Sequence, residues 1–396
     1  MRILYHSPSN TIGGAELSLL ETIQFMKGKG HQIYMALPFS QKSDYINLIE
    51  PYCEEILFVK PMNFFVTSKK KVSFQKSFMR YVYSSYKSGW HIIPVIKMYL
   101  LIKKNKIQIV HTNTVFSIDA ALAAKLARLP HCLHIREITG TAKDATLKLF
   151  FQGTLFFKYL MDKLCSIIIC NSKYTLNSNR KYFPASKMQV LYNPIQTLNL
   201  LKKEKNSDFL VFGCVANVTA NWKNHQLAIR LIKSIIDKNS EKSIILNIYG
   251  TIPSENDDYY KVIKGLIIEL GLIDKIYFKG SCPQTLIYSE IDFLIHPTPF
   301  EPFGRVIIEA MANHILVIGI NEGGAKELIS NKKTGILVTE QLLEEEILEI
   351  TNTLNDDKKR TGIQDEAFLF SKNFHPEIIL NQLEKLYFSL YKNRLV

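Results

Sequence analysis

Short runs of Ile, Val, Leu and Phe recur along the chain, separated by stretches long enough for a helix. In the first half they fall at Arg2–Pro8, His31–Leu37, Glu55–Lys60, Ile107–Asn113, His131–Glu137, Ser166–Asn171 and Met188–Tyr192. A second series follows at Phe209–Val215, Ile244–Tyr249, Lys275–Lys279, Asp292–His296, Leu316–Ile320 and Gly335–Val338. Strands that alternate with helices predict parallel sheets covered by helices, with ligands at the carboxyl ends of the strands. Between the two series lies a polar stretch, Leu201–Asp208, which reads as a linker. The expected organisation is a domain over residues 1–200, a second over 208–374, and a last helix over 375–396. Ile378, Leu380, Leu383, Leu386, Tyr387 and Leu390 form that helix's apolar stripe. A chain of 396 residues is long for one core and suits two.

Hydrophobic residues make up 47% of the chain, ordinary for a globular enzyme. The net charge of +13, from 49 basic and 36 acidic side chains, is unevenly spread. Between Lys60 and Lys106 there are eleven Lys or Arg residues and no Asp or Glu. There Lys69, Lys70, Lys71, Lys76 and Arg80 alternate with Phe64, Phe65, Phe74, Phe78, Tyr81, Tyr86 and Trp90. Phe74, Phe78 and Tyr81 share one helical face, so the insertion over 61–106 reads as a basic amphipathic element. A core helix with a solvated face is the commoner origin of such a pattern, and cations with aromatics also serve single-stranded nucleic acid. The absence of acid fits an anionic membrane surface better, and no nucleic-acid partner is expected. Ile92–Ile102 is too short to span a bilayer and contains Pro94 and Lys97. No charged and then apolar leader opens the chain, so it is expected in the cytoplasm, peripheral to the membrane's inner face. The six cysteines are scattered without a Cys-x-x-Cys pair and read as buried free thiols.

The segment Ile291–Ala312 carries most of the chemistry. A buried strand breaks on His296-Pro297-Thr298-Pro299 and a helical pattern resumes near Phe303. Glu301 and Glu309 bracket Gly304, where a ligand could approach bare backbone. A helix start suits an anion and a neighbouring carboxylate suits hydroxyls, so a polyhydroxylated phosphate ester fits both. Gly13 and Gly14 make a similar strand-to-helix turn after the first strand. His111, Asn113, Arg136 and Glu137 lie at carboxyl ends of predicted strands and are further candidates.

The run Glu301-Pro302-Phe303-Gly304-Arg305-Val306-Ile307-Ile308-Glu309 resembles the signature of the family-4 retaining glycosyltransferases, two glutamates separated by seven residues around Phe-Gly. Glu322-Gly323-Gly324-Ala325-Lys326-Glu327 and Thr334-Gly335-Ile336-Leu337-Val338 are similar to the family's next motifs, in order. Gly13-Gly14-Ala15-Glu16 resembles its N-terminal loop. The stretch Ala216–His225 resembles the loop in which an Arg and a Lys bind diphosphate, with Lys223 matching the lysine and Asn217 in the arginine's place. Asn113 stands where relatives carry a histidine near the donor sugar.

The resemblance implies an α/β protein of the GT-B architecture: two Rossmann-like domains with parallel sheets facing a cleft, the last helix crossing back to the first domain. It implies hexose transfer from a nucleoside diphosphate sugar to an acceptor glycan or lipid-linked sugar, with retention. By the family pattern Glu309 would hold the donor ribose, Glu301 the hexose hydroxyls, Lys223 the diphosphate, and Gly323 and Gly324 the nucleotide loop. Glu301, Lys223 and Asn113 are the candidates for the chemistry. Gly13, Gly14, Asn217, Phe303, Gly304 and Arg305 complete the donor set, with Arg305 or Arg136 as a possible second cation. No Asp-x-Asp occurs, so neither metal nor other cofactor is expected beside the sugar nucleotide. A sugar-nucleotide epimerase or phosphorylase on this architecture, or a non-catalytic binder, is the alternative.

Overall fold

The computed structural model describes residues 1–39, 43–61, 65–67, 92–139, 147–149, 155–196, 209–219, 221–238 and 242–394. Most of the basic insertion, including Lys69, Lys70, Lys71, Lys76 and Arg80, lies outside them, as does the polar stretch 201–208. Two compact units result, Met1–Pro194 together with Pro376–Val396, and Ile195–His375.

The first unit is built on strands β1 (Arg2–His6), β2 (Gln32–Leu37), β3 (Glu55–Phe58), β5 (Ile109–Asn113), β6 (His131–Ile135), β8 (Ile167–Cys170) and β9 (Met188–Val190). Their order is β3-β2-β1-β5-β6-β8-β9, all parallel. β4 (Phe65–Thr67) and β7 (Leu147–Leu149) form a separate antiparallel pair. Because side chains alternate across a strand, Ile3, Tyr5, Ile33 and Met35 pack on one face with helices Gly14–Gly28 and Pro376–Lys392. Leu4, Tyr34, Ala36 and Val110 face the other way, under helices Ile92–Lys104 and Asp119–Leu126. Leu133, Ile135 and Ile168 continue that second face beneath helix Leu155–Leu164.

The last helix thus belongs to the first unit, but its stripe differs from expectation. Ile379, Leu380, Leu383 and Tyr387 are buried, while Ile378 is 46% exposed. The residues at 379, 383 and 387 repeat every four positions, and one step back turns a side chain about 100° away. Of the six free cysteines, Cys53 and Cys282 are partly exposed rather than buried.

The second unit carries β10 (Phe209–Val215), β11 (Ser243–Tyr249), β12 (Ile276–Gly280), β13 (Phe293–His296), β14 (Leu316–Ile320) and β15 (Ile336–Val338) in the order β12-β11-β10-β13-β14-β15. Phe212 and Phe293 stack at 4.8 Å at its centre. Helix His225–Lys238 buries Leu227, Ala228, Leu231, Ile232 and Ile235 against the sheet.

In each sheet the chain runs outward from one strand and then returns to that strand's other side. The reversal lies between β1 and β5 in the first unit and between β10 and β13 in the second. Open parallel sheets bind ligands at such reversals, outside the carboxyl ends of the strands. Gly13 and Gly14 follow β1 and Asn113 ends β5, while Lys223 follows β10, His296 ends β13 and Pro297–Glu301 come after it.

Candidate functional site

In the second unit, the 3-10 turn Asn221–Lys223 carries Lys223 out of β10. Next to it, His225 anchors the preceding loop, its Nε2 donating to the Ala216 carbonyl at 3.2 Å. Lys223 Nζ lies 2.6 Å from Glu301 Oε2, and each side chain is about one-fifth exposed. The ammonium also sits 4.0 Å from the centroid of the Trp222 ring. Burial pushes the Glu301 carboxyl up, but the charges of Lys223 and then His296, with the Lys223 hydrogen bond, outweigh it and hold it below the usual range. His296 is buried, and desolvation pushes it down to about 4.

Gly304 takes φ +89 at the start of helix Arg305–Met311, a conformation that L side chains rarely adopt. Gly323 and Gly324 press on the Glu301 loop. A Cβ on Gly323 would come within 2.5 Å of the Pro299 carbonyl, and one on Gly324 within 2.5 Å of the Phe303 carbonyl. Gly324 N–H donates to the Glu301 carbonyl at 2.8 Å. The glycine pair therefore has a packing duty: it holds the backbone that presents Glu301.

Glu309 is nearly buried and doubly engaged. Tyr288 Oη donates to its Oε2 at 2.7 Å, and Arg305 Nε donates to its Oε1 at 3.2 Å. Arg305 is thus committed to a carboxylate one helical turn away. Phe303 turns inward, 2% exposed, its ring 5.9 Å from Phe374. Asn217, exposed, accepts the Thr251 N–H at 2.9 Å and ties the loop after β10 to the one after β11.

In the first unit the polar groups close on one another. Arg136 is buried, donating from Nε to Asn113 Oδ1 at 2.7 Å and from another guanidinium nitrogen to Asn193. Asn113 Nδ2 in turn donates to the Ala15 carbonyl at 3.2 Å, in the first turn of the helix that Gly13 caps and Gly14 begins. Beside them, Glu137 Oε2 accepts the Arg136 N–H at 3.1 Å. Burial raises the Glu137 carboxyl to about 7, opposed by that backbone bond and the Arg136 charge and reinforced by Glu16. Glu16 is itself raised by burial. His111 is 1% exposed, its Nδ1 2.7 Å from Tyr387 Oη, so it joins the last helix to the sheet rather than lining a site. Burial holds it well below the usual imidazole range.

The fold therefore brings Lys223, Glu301, Gly304, Arg305, Glu309, Gly323 and Gly324 to one end of the second sheet. Gly13, Gly14, Asn113, Arg136 and Glu137 gather at the corresponding end of the first. Sequence reasoning missed Tyr288 and Asn193, whose partners Glu309 and Arg136 lie 21 and 57 residues away in the chain. Among the described residues no group of His, Cys, Asp and Glu side chains could hold a metal ion.

Two family profiles match the chain in tandem, Glycosyltransferase Family 4 over residues 12–197 and Glycosyl transferases group 1 over residues 198–369. Protein CapJ of Staphylococcus aureus is 25% identical over 58% of this chain, and the match spans 59% of CapJ. The capsular polysaccharide biosynthesis glycosyltransferase CapM of Staphylococcus aureus is 26% identical over 75% of this chain and 81% of its own length. Among solved structures, Anabaena Alr3699/HepE in complex with UDP superimposes with a TM-score of 0.75 at 21% identity, over 98% of this chain and 100% of that one. The same protein has been solved with UDP-glucose, with a TM-score of 0.73. That likeness establishes the fold as GT-B, on which the two Rossmann-like units are its two domains. With the family's profiles in tandem from residue 12 to residue 369, the chain belongs to the family-4 glycosyltransferases.

Proposed function

We propose that this chain transfers a hexose from a nucleoside diphosphate sugar to an acceptor hydroxyl, with retention of anomeric configuration and without a metal ion, in the synthesis of a surface polysaccharide or glycolipid. The observation that carries the reading is the group at the sheet reversal of the second unit, where Lys223 and Glu301 lie 2.6 Å apart and Glu309 ends the same motif. A leaving diphosphate needs cationic stabilisation as its bond to the sugar breaks, and Lys223 supplies a mobile cation for it. Glu301 and Glu309 supply acceptors for hexose and ribose hydroxyls. The UDP and UDP-glucose complexes of HepE support this donor class, and the place of CapM in capsular polysaccharide biosynthesis supports a polysaccharide product.

The first unit is assigned the acceptor, presented at an anionic membrane surface. Helices Ile92–Lys104, Asp119–Leu126 and Leu155–Leu164, which cover one face of its sheet, expose Ile92, Leu100, Leu126, Leu155 and Tyr159 among several lysines. Exposed apolar groups amid cations suit the headgroup region of anionic lipid. No helix among the described residues is long and apolar enough to cross a membrane.

The test is a thermal-shift panel of UDP, GDP, ADP and their glucose esters. Transfer assays with the stabilising donor follow, with lipid-linked and soluble glycan acceptors, with and without EDTA. The reading expects stabilisation by one base, turnover in EDTA, and an α-linked product from an α-configured donor in the anomeric proton coupling. Donor binding with no transfer to any acceptor, or release of a free sugar nucleotide product, would favour the non-catalytic or epimerase alternatives.

A further inference from the structure

Each carboxylate assigned to donor hydroxyls is already paired with a cation suited to the donor's diphosphate. Lys223 holds Glu301 at 2.6 Å, and Arg305 holds Glu309 at 3.2 Å. The first pair is the one open to exchange. Its side chains are each 19% exposed, whereas Arg305 and Glu309 are 10% and 6% exposed and Tyr288 holds the second Glu309 oxygen.

A diphosphate that takes Lys223 strips Glu301 of its counter-charge. A carboxylate with about four-fifths of its side chain out of water is costly to leave alone, because few solvent dipoles replace the lost ammonium. A full sugar nucleotide repairs the loss, since its hexose offers hydroxyl donors to the vacated carboxylate. A bare nucleoside diphosphate has no hexose and cannot.

We propose that the Lys223–Glu301 pair is an exchange switch that discriminates between sugar nucleotide and nucleoside diphosphate, and that Glu301 drives product release by reclaiming Lys223 once the hexose has left. The inference rests on the assignment of Lys223 to the diphosphate. No covalent step is involved: the one Lys223–Glu301 bond gives way on binding to two, Lys223 to the diphosphate and a hexose hydroxyl to Glu301, and re-forms on release. Glu301 is then a specificity-determining residue whose carboxylate weakens product binding.

Calorimetric titration of UDP, GDP and ADP and of their glucose esters tests this with wild type, Glu301→Gln, Lys223→Met and the double variant. With Glu301→Gln, the nucleoside diphosphate of the preferred base should bind about tenfold more tightly and inhibit at correspondingly lower concentration, because Lys223 is released from its ion pair. Its glucose ester should bind no more tightly than to wild type. The gain should vanish in the double variant, which separates it from a nonspecific change in fold. Unchanged or weaker nucleoside diphosphate binding in Glu301→Gln, with Lys223→Met still weakening it, would overturn the switch and leave the diphosphate assignment standing. Wild-type affinities in Lys223→Met would overturn both.

Discussion

The two sheet reversals hold similar chemical groups in opposite states. In the first unit, the Arg136 guanidinium is held by Asn113 and Asn193, its backbone N–H donates to Glu137, and the Asn113 amide is spent on Ala15 and Arg136. In the second, Lys223 and Glu301 face each other with part of each side chain open to solvent. Polar groups closed on one another hold backbone elements together, whereas partly exposed charges can change partners. The contrast also appears in titration: burial raises Glu137 to about 7, while Lys223 and His296 overcome burial and lower Glu301. The first cluster braces the fold, and the second is the one proposed to exchange ligands.

The largest effect that sharpens this contrast should come from Glu309→Ala, with kcat/KM lowered about 100-fold or more as a charge-assisted contact to ribose is lost and Arg305 is left unmatched. Tyr288→Phe removes only the hydroxyl at 2.7 Å from Glu309, so it should raise the donor KM about tenfold with little change in kcat. Equal kcat/KM for both variants and wild type, in steady-state assays, would break the assignment.

Arg136→Met should act on stability instead, by about 3 kcal/mol, because it strands the Asn113 and Asn193 oxygens in the interior and removes a charge that favours the Glu137 carboxylate. Urea unfolding measures it, and an unchanged midpoint would contradict a bracing role. Gly324→Ala should cost about 2 kcal/mol, since a Cβ 2.5 Å from the Phe303 carbonyl forces the Glu301 loop to move. Its donor KM should rise in parallel, and normal melting with normal KM would count against the packing duty.

The pH dependence of stability is the most diagnostic in sign. Glu137 has a raised folded pKa, so the folded state retains its proton longer and this group's contribution to stability falls as pH rises from about 4.5 to about 7. Glu137→Gln should therefore gain about 2 kcal/mol on wild type between pH 5 and pH 8. Glu301 has a lowered folded pKa, so its contribution is complete above the ordinary carboxylate range and is lost as pH falls through the folded value. Glu301→Gln should narrow its stability difference from wild type only on acidification. Thermal melts across pH 3–8 distinguish the two, and parallel profiles would erase the contrast.

Strands and their order of use were legible because buried parallel strands leave apolar runs that need no tertiary information. Phe209–Val215 and Leu316–Ile320 are observed with the limits expected of them. Glu301 and Glu309 were legible because their spacing and neighbours are local. The Lys223–Glu301 pair was not, since its partners lie 78 residues apart and meet only through the parallel placement of β10 beside β13. His111 and Phe303 looked available because a strand end or helix start reveals position but not side-chain direction; both turn inward. The β4 and β7 pair escaped notice because three residues are too few to show a period.

The central claim is that Lys223 receives the donor diphosphate. Its most direct test is calorimetric titration of Lys223→Ala with the sugar nucleotide chosen by the thermal panel, beside a thermal melt of the same protein. The account predicts at least tenfold weaker donor binding with the melting temperature of the second unit within a few degrees of wild type. Wild-type donor affinity in a folded Lys223→Ala protein would contradict it.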